Sequence, residues 1–115
     1  MTSFIWEGTP VPKARPRMNT KTGAVYTPKT TQEFEAAMGW AYREAGGKSH
    51  QGDVTLYVTV HEPPGHPADL DNYIKAVSDA LNGLAFGDDK QVTRIIGVVH
   101  RGSEGGAVEV EVTSA

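Results

Sequence analysis

The segment that decides the fold is residues 69–92, DLDNYIKAVSDALNGLAFGDDKQV, which indicates one amphipathic helix followed by an acidic turn. At about 100° per residue, apolar side chains spaced i, i+4, i+7 and i+11 form a stripe that predicts a core-facing side. That stripe consists of Leu70, Ile74, Val77, Leu81 and Leu84. The polar flank of the same helix consists of Asp71, Lys75, Asp79 and Asn82. We therefore expect a helix that packs one side against a core and presents carboxylates to solvent.

Carboxylates stand at both ends of this helix. Asp69 precedes it, Asp71 lies in its first turn, and Asp88-Asp89 follow it. If the exit loop brings the two ends together, the repulsion among these groups favours a divalent cation such as Mg²⁺ or Mn²⁺. Such an ion polarises a phosphoryl oxygen and supplies hydroxide at neutral pH, and Lys75 adds positive charge nearby. Asp79, farther from the start of the motif, is expected to matter little.

The same carboxylates also fit a purely structural role. Asp69 or Asp71 could cap the free N–H groups of the first helical turn, as aspartate often does. The D-x-D spacing alone leaves a metal site and a helix cap as alternatives.

Several motifs together resemble the RusA family of Holliday junction resolvases. They are D-L-D-N-x-x-K-A-x-x-D-A-L-N, the following D-D-x-Q-V, the N-terminal G-T-P-V-P-K-A-R-P-R, and Y-T-P-K-T before the first helix. The resemblance extends from about Gly8 to about Ile96. It implies a homodimeric, magnesium-dependent endonuclease, with Mn²⁺ as a substitute. It also implies that Asp69, Asp71 and Asp89 bind the metal, with Asp88 as the alternative ligand in its pair, and that Lys75 is the catalytic lysine.

The charge is unevenly distributed along the chain. The formal net charge of −3 argues against a general nucleic-acid binder. Residues 1–30, however, contain a single acid, Glu7, and five basic residues: Lys13, Arg15, Arg17, Lys21 and Lys29. In an extended chain the alternating Lys13, Arg15 and Arg17 would point the same way. With Lys29 they are the candidate contacts to DNA phosphates, and a solvated basic loop is the alternative.

Composition excludes several other classes. The chain has no cysteine, so disulfides and thiolate zinc sites are excluded. It has neither an apolar stretch of about 18 residues nor the pattern of a secretory signal. We expect a cytoplasmic protein, and the resemblance to the RusA family implies a bacterial or phage origin.

The order of predicted elements is strand, basic arm (residues 11–23), helix, strand, helix, strand, strand. This order predicts an α+β fold, a RusA-like single domain over residues 1–115, with a mixed sheet and two helices packed on it. Residues 53–61 alternate most clearly, with Val54, Leu56, Val58 and Val60 on one face. Residues 91–101 predict a strand buried in part on both faces, and 102–106 predict a hairpin loop to the last strand.

The function that these features favour is a structure-selective DNA endonuclease. It would resolve four-way (Holliday) junctions by paired, magnesium-dependent phosphodiester hydrolysis in DNA recombination and repair. Two alternatives remain open: a related nuclease acting on flaps or forks, and a non-catalytic DNA-binding module.

Overall fold

A four-stranded mixed sheet with two helices on one face forms the fold, as the element order predicts. The computed structural model describes residues 1–14, 17–18, 20–26, 28–65 and 67–115, with only the backbone at 17, 18, 25 and 26. The elements are β1 (Thr2–Glu7), β2 (Arg17–Met18), β3 (Val25–Tyr26), α1 (Lys29–Glu44), β4 (Val54–Glu62), α2 (Leu70–Leu81), β5 (Val92–Arg101) and β6 (Ala107–Ser114). No helix in these ranges has the length and apolarity that crossing a membrane requires.

The sheet has the strand order β1-β6-β4-β5. Strand β6 runs antiparallel to both β1 and β4, whereas β5 runs parallel to β4. The predicted hairpin at 102–106 is therefore wrong, because β5 and β6 lie on either side of β4 and do not pair with each other. A glycine-rich loop between two β-branched runs contains no information about which strand each run will pair with. Strand β2 in the basic arm pairs with β3, which follows the arm, to form a separate antiparallel ribbon.

The core lies between the helices and the even-numbered side chains of β4. The predicted alternation is confirmed, since Val54, Leu56, Val58 and Val60 are all buried. Helix α2 is rotated slightly from its predicted stripe: Tyr73 and Ala76 are buried together with Val77 and Leu81, whereas Leu70, Ile74 and Leu84 are half-buried. This rotation has a physical reason, because α2 packs against α1 as well as against the sheet.

Strand β5 forms one edge of the sheet and is far more exposed than its sequence predicts. Ile95, Ile96 and Val98 expose 46%, 38% and 41% of their surface, so the prediction of partial burial on both faces is wrong. Helix α2 packs on β5, most closely at Gly97, where an added Cβ would collide with the side chain of Ile74. An apolar run predicts a strand, but the position of that strand in the sheet decides how much of it is buried.

Candidate metal and nucleic-acid site

The chain enters α2 through a short loop that leaves the first two acidic side chains exposed. Asp69 is the N-cap residue, and its carbonyl oxygen accepts hydrogen bonds from the N–H groups of Asn72 and Tyr73 at 3.1 and 3.3 Å. Its carboxylate makes no capping hydrogen bond. Asp71 lies in the first turn and is also exposed. Both carboxylates thus lie near the positive end of the helix dipole, where negative charge is favourable and a ligand can reach them.

Asp88, in contrast, does cap a short helix. Its Oδ1 accepts from the Lys90 N–H at 2.8 Å, and Gln91 completes a capping box over residues 88–91. The neighbouring Asp89 is exposed, and its carboxylate has no hydrogen-bond partner within the described ranges. The two aspartates therefore differ: Asp88 holds the turn, and Asp89 is available to a ligand.

The side chain of Gln91, which sequence reasoning did not select, fixes the position of this turn. Its Oε1 accepts from the N–H groups of Gly87 and Asp88 at 2.8 and 3.1 Å. Its Nε2 donates to the carbonyl oxygens of His50 and Gly52, both at 2.8 Å. Gln91 thus attaches the acidic turn to the connection before β4.

The acidic residues lie at opposite ends of the sheet within one chain. The parallel register pairs Val54 with Val92 and Glu62 with Arg101, so Asp89 lies near the start of β4, whereas Asp69 follows its end. Helix α2 spans the distance between them, and its twelve residues correspond to about 18 Å. Across the described part of the chain, no group of three or more His, Asp or Glu residues could hold a metal ion. A single chain therefore does not bring together Asp69, Asp71 and Asp89, the three carboxylates that are expected to bind the metal.

Lys75 is exposed and lies one turn after Asp71 on the same flank. Its Nζ lies 3.8 Å from Oδ2 of Asp79, an i,i+4 pair on the helix surface. The side chain of Lys75 is 63% exposed, so its ammonium group can reach a ligand beyond the protein.

Lys13 is held by the protein itself. Its Nζ lies 2.7 Å from Oε1 of Glu35 and 3.2 Å from Oδ2 of Asp79, and its backbone N–H donates to the Asn72 carbonyl oxygen at 2.9 Å. The hydrogen bond that Lys13 donates to Glu35 is the largest cause that raises the pKa of the Lys13 ammonium. Lys13 therefore fastens the basic arm to both helices.

The remaining basic candidates differ in how far the structure describes them. Arg15 lies outside the described residues, and Arg17 is described by its backbone in β2 alone. Lys29 begins α1, where its side chain is 87% exposed and lies 3.8 Å from Glu33. Lys29 is thus exposed enough to contact a polyanion, although it also lies near Glu33.

Glu62 is a buried carboxylate next to the site that the sequence analysis did not select. It is 3% exposed, and it accepts hydrogen bonds from the Tyr73 hydroxyl, the Ala68 N–H and the Arg101 guanidinium. The hydrogen bond from Tyr73, followed by that from Ala68, lowers the pKa of Glu62, although burial opposes the shift. The sequence does contain a signal for Glu62. It continues the alternation of Val54 to Val60, so it places a charged residue on the apolar face of β4.

Comparison with protein-family models identifies the class of protein. A model described as Endodeoxyribonuclease RusA matches residues 7–113. The chain belongs to the RusA family of endodeoxyribonucleases, which resolve Holliday junctions, so the resemblance seen in the motifs is confirmed. No protein with a curated description matches the chain.

Proposed function

We propose that this protein resolves four-way DNA junctions by magnesium-dependent hydrolysis during recombination and repair, and that residues 1–115 form one domain for this purpose. The observation that carries the proposal is the state of Asp69 and Asp71. They are exposed carboxylates at the start of α2, unused as caps, in a chain whose family consists of endodeoxyribonucleases. A pair of carboxylates left free in this way supports a ligand-binding role over a structural one.

Hard oxygen donors fit Mg²⁺, and Mn²⁺ is expected to substitute for it. In this proposal Asp69, Asp71 and Asp89 would hold the ion, which when bound would supply an activated water and polarise the scissile phosphate. Lys75 would stabilise the negative charge that develops on the phosphate. One chain offers only the first two carboxylates in one place, so the third ligand has to come from elsewhere.

A homodimer supplies that third ligand if the two β5 strands meet. Strand β5 is a ten-residue edge, and it exposes Ile95, Ile96 and Val98. Long apolar edges of this kind favour pairing with another strand. Antiparallel pairing around a two-fold axis would direct the partner's Asp89 towards the end of the sheet that carries Asp69 and Asp71. Two such sites per dimer would suit paired incision of a junction.

The basic arm would grip the DNA backbone in this proposal. Arg15, Arg17 and Lys29 would contact phosphates, which positions DNA without reading its sequence. Lys13 would contribute by holding the arm against α1 and α2, since its ammonium is already paired with two carboxylates.

The experiment is a comparison of substrates and variants. We expect paired nicks in a labelled synthetic four-way junction with Mg²⁺, and none with EDTA. Asp71→Asn should keep the fold and bind the junction as well or better, because a repulsive charge is lost, but cleavage should fall by orders of magnitude. Glu44→Gln, which changes an exposed carboxylate at the end of α1, is the control and should cut normally.

The alternatives give different results in the same assay. Preferred cutting of a flap or fork would identify a nuclease for other branched DNA. Binding without cutting at high protein concentration, with either Mg²⁺ or Mn²⁺, would identify a non-catalytic DNA-binding module. If Asp71→Asn cuts like the parent protein, the metal assignment fails.

A further inference from the structure

Glu62, the last residue of β4, collects hydrogen bonds from three separate parts of the chain. Its Oε2 accepts from the Tyr73 hydroxyl at 2.6 Å and from the Ala68 N–H at 2.9 Å. Arg101 Nη1 lies 2.9 and 3.1 Å from the two carboxylate oxygens. Because Glu62 is 3% exposed, these donors replace the water that the charge would otherwise require.

Two of these donors flank the candidate metal ligands. Ala68 immediately precedes Asp69, and Tyr73 follows Asp71 by two residues. The N–H of Tyr73 also donates to the Asp69 carbonyl oxygen. One carboxylate therefore holds the chain on both sides of residues 69–71, where the two exposed acids lie.

The segment between Glu62 and Ala68 contains three prolines, which cannot donate backbone hydrogen bonds in place of those that Glu62 accepts. Pro63, Pro64 and Pro67 each fix the φ angle, and none of them has an N–H to donate. The hydrogen bonds to Glu62 are thus the polar contacts that join this end of α2 to β4 and β5 in the described chain.

A nearby hydrogen-bonded pair forms a purely structural contact between two strands. His61 Nε2 lies 2.6 Å from Oε2 of Glu109, which joins β4 to β6 on the face of the sheet opposite the helices. Within the described residues, this pair makes no hydrogen bond or ion pair with residues 68–73. The His61–Glu109 pair therefore serves as a matched control for the pair that Glu62 makes.

We propose that Glu62 is a positioning residue, which orients Asp69 and Asp71 for the metal through the Ala68 N–H and the Tyr73 hydroxyl. The inference rests on the proposed function, because it concerns the same metal site. Residues that orient metal ligands without contacting the metal typically raise metal affinity by about 10–100-fold, and this gain is lost when they are removed. Glu62 orients Asp69 and Asp71 and does not contact the reacting atoms. Its loss should therefore lower the metal affinity more than the rate at saturating metal.

The test is Tyr73→Phe, which removes the hydroxyl and keeps the aromatic ring in the core. Cleavage of a labelled junction is measured as a function of Mn²⁺ concentration with the protein of residues 1–115. We expect the half-saturating Mn²⁺ concentration to rise about tenfold or more. The rate at saturating Mn²⁺ and junction binding in EDTA should stay within about twofold of the parent. Glu109→Gln, which breaks the control pair, should leave the whole curve unchanged.

The outcomes separate this inference from the proposed function. If the parent protein shows no metal-dependent cleavage, the proposed function has failed. If the parent cuts and Tyr73→Phe has the parent's Mn²⁺ curve, the positioning role is overturned. Should circular dichroism show Tyr73→Phe to be unfolded, Glu62→Gln replaces it. That variant keeps the size of the side chain but removes the charged acceptor of the Tyr73 and Ala68 hydrogen bonds, and the same shift in the Mn²⁺ curve is required of it.

Discussion

The Nζ of Lys13 lies 3.2 Å from Oδ2 of Asp79, so the N-terminal arm is joined to the helix that carries Asp71 and Lys75. The same Asp79 oxygen lies 3.8 Å from Nζ of Lys75. One carboxylate therefore interacts with two lysines: one that anchors the arm, and one that is the candidate for catalysis. Asp79 thus links Lys13 to Lys75, a contact that its distance from the start of the motif did not indicate.

Asp79→Asn should reduce cleavage, because both lysines lose a charged partner and Lys75 is no longer restrained. We expect a fall of about tenfold in the single-turnover rate at saturating Mg²⁺, equivalent to about 1.4 kcal/mol of activation free energy. The free energy of unfolding should fall by about 1 kcal/mol or less, since Lys13 keeps its contact with Glu35. An unchanged rate, matching that of Glu44→Gln, would show that Asp79 is dispensable, as the sequence suggested.

A mixing experiment tests whether two chains share each metal site. Asp71→Asn and Asp89→Asn should each be inactive as homodimers. In a mixed dimer one composite site keeps Asp69 and Asp71 from one subunit and Asp89 from the other, so mixing should restore nicking of one strand. If each chain holds a complete site, the mixture will stay inactive. Light scattering should also give about twice the chain mass of 12.3 kDa.

Acid should weaken the contribution of Glu62 to stability. Its pKa is lower in the folded protein than the ordinary value of 4.5. A group with a lowered pKa stabilises the fold above its unfolded pKa, and that stabilisation is lost as the pH falls through the folded value. Urea unfolding between pH 6 and pH 3 should therefore show a decline in the free energy of unfolding, and the decline should be smaller in Glu62→Gln. Identical declines in both proteins would assign the acid sensitivity to other groups.

Gly97→Val should push α2 away from β5, because a side chain at this position meets Ile74. We expect a loss of about 1–3 kcal/mol in the free energy of unfolding, as is usual for overpacking. Adding Ile74→Ala should recover part of that loss, since it removes the side chain atoms that clash with the new valine. Gly52→Ala is the control, because no atom lies within 4 Å of an added Cβ there. Equal stability of the single and double variants would contradict this explanation.

Local patterns predicted the elements and the core of this protein well. Alternation located β4 and its buried face, and helical periodicity located α2, because each pattern depends on residues close together in the chain. The order of the strands depends on long-range pairing, which explains why the exposure of β5 and the missing hairpin at 102–106 were predicted wrongly.

The candidate site was predictable only in part, for the same reason. The motifs selected Asp69, Asp71 and Asp89 as a set, but their placement at opposite ends of the sheet follows from the parallel pairing of β4 and β5. Glu62 stands on the apolar face of β4, which signals that it needs partners. Its partners Tyr73 and Arg101 lie 11 and 39 residues away in the chain, and no local pattern identifies them.

The division of roles within the acidic turn affects how relatives of this protein should be recognised. Asp88 and Gln91 shape the turn through the hydrogen bonds of their side chains, whereas the carboxylate of Asp89 makes none within the described residues. A homologue that keeps the first aspartate and the glutamine but has lost Asp89 would preserve the backbone shape and still resemble the family closely. If Asp89 binds the metal as proposed, we expect such a sequence to bind branched DNA without cutting it. The residue at position 89 would then separate active from inactive relatives better than the motif as a whole.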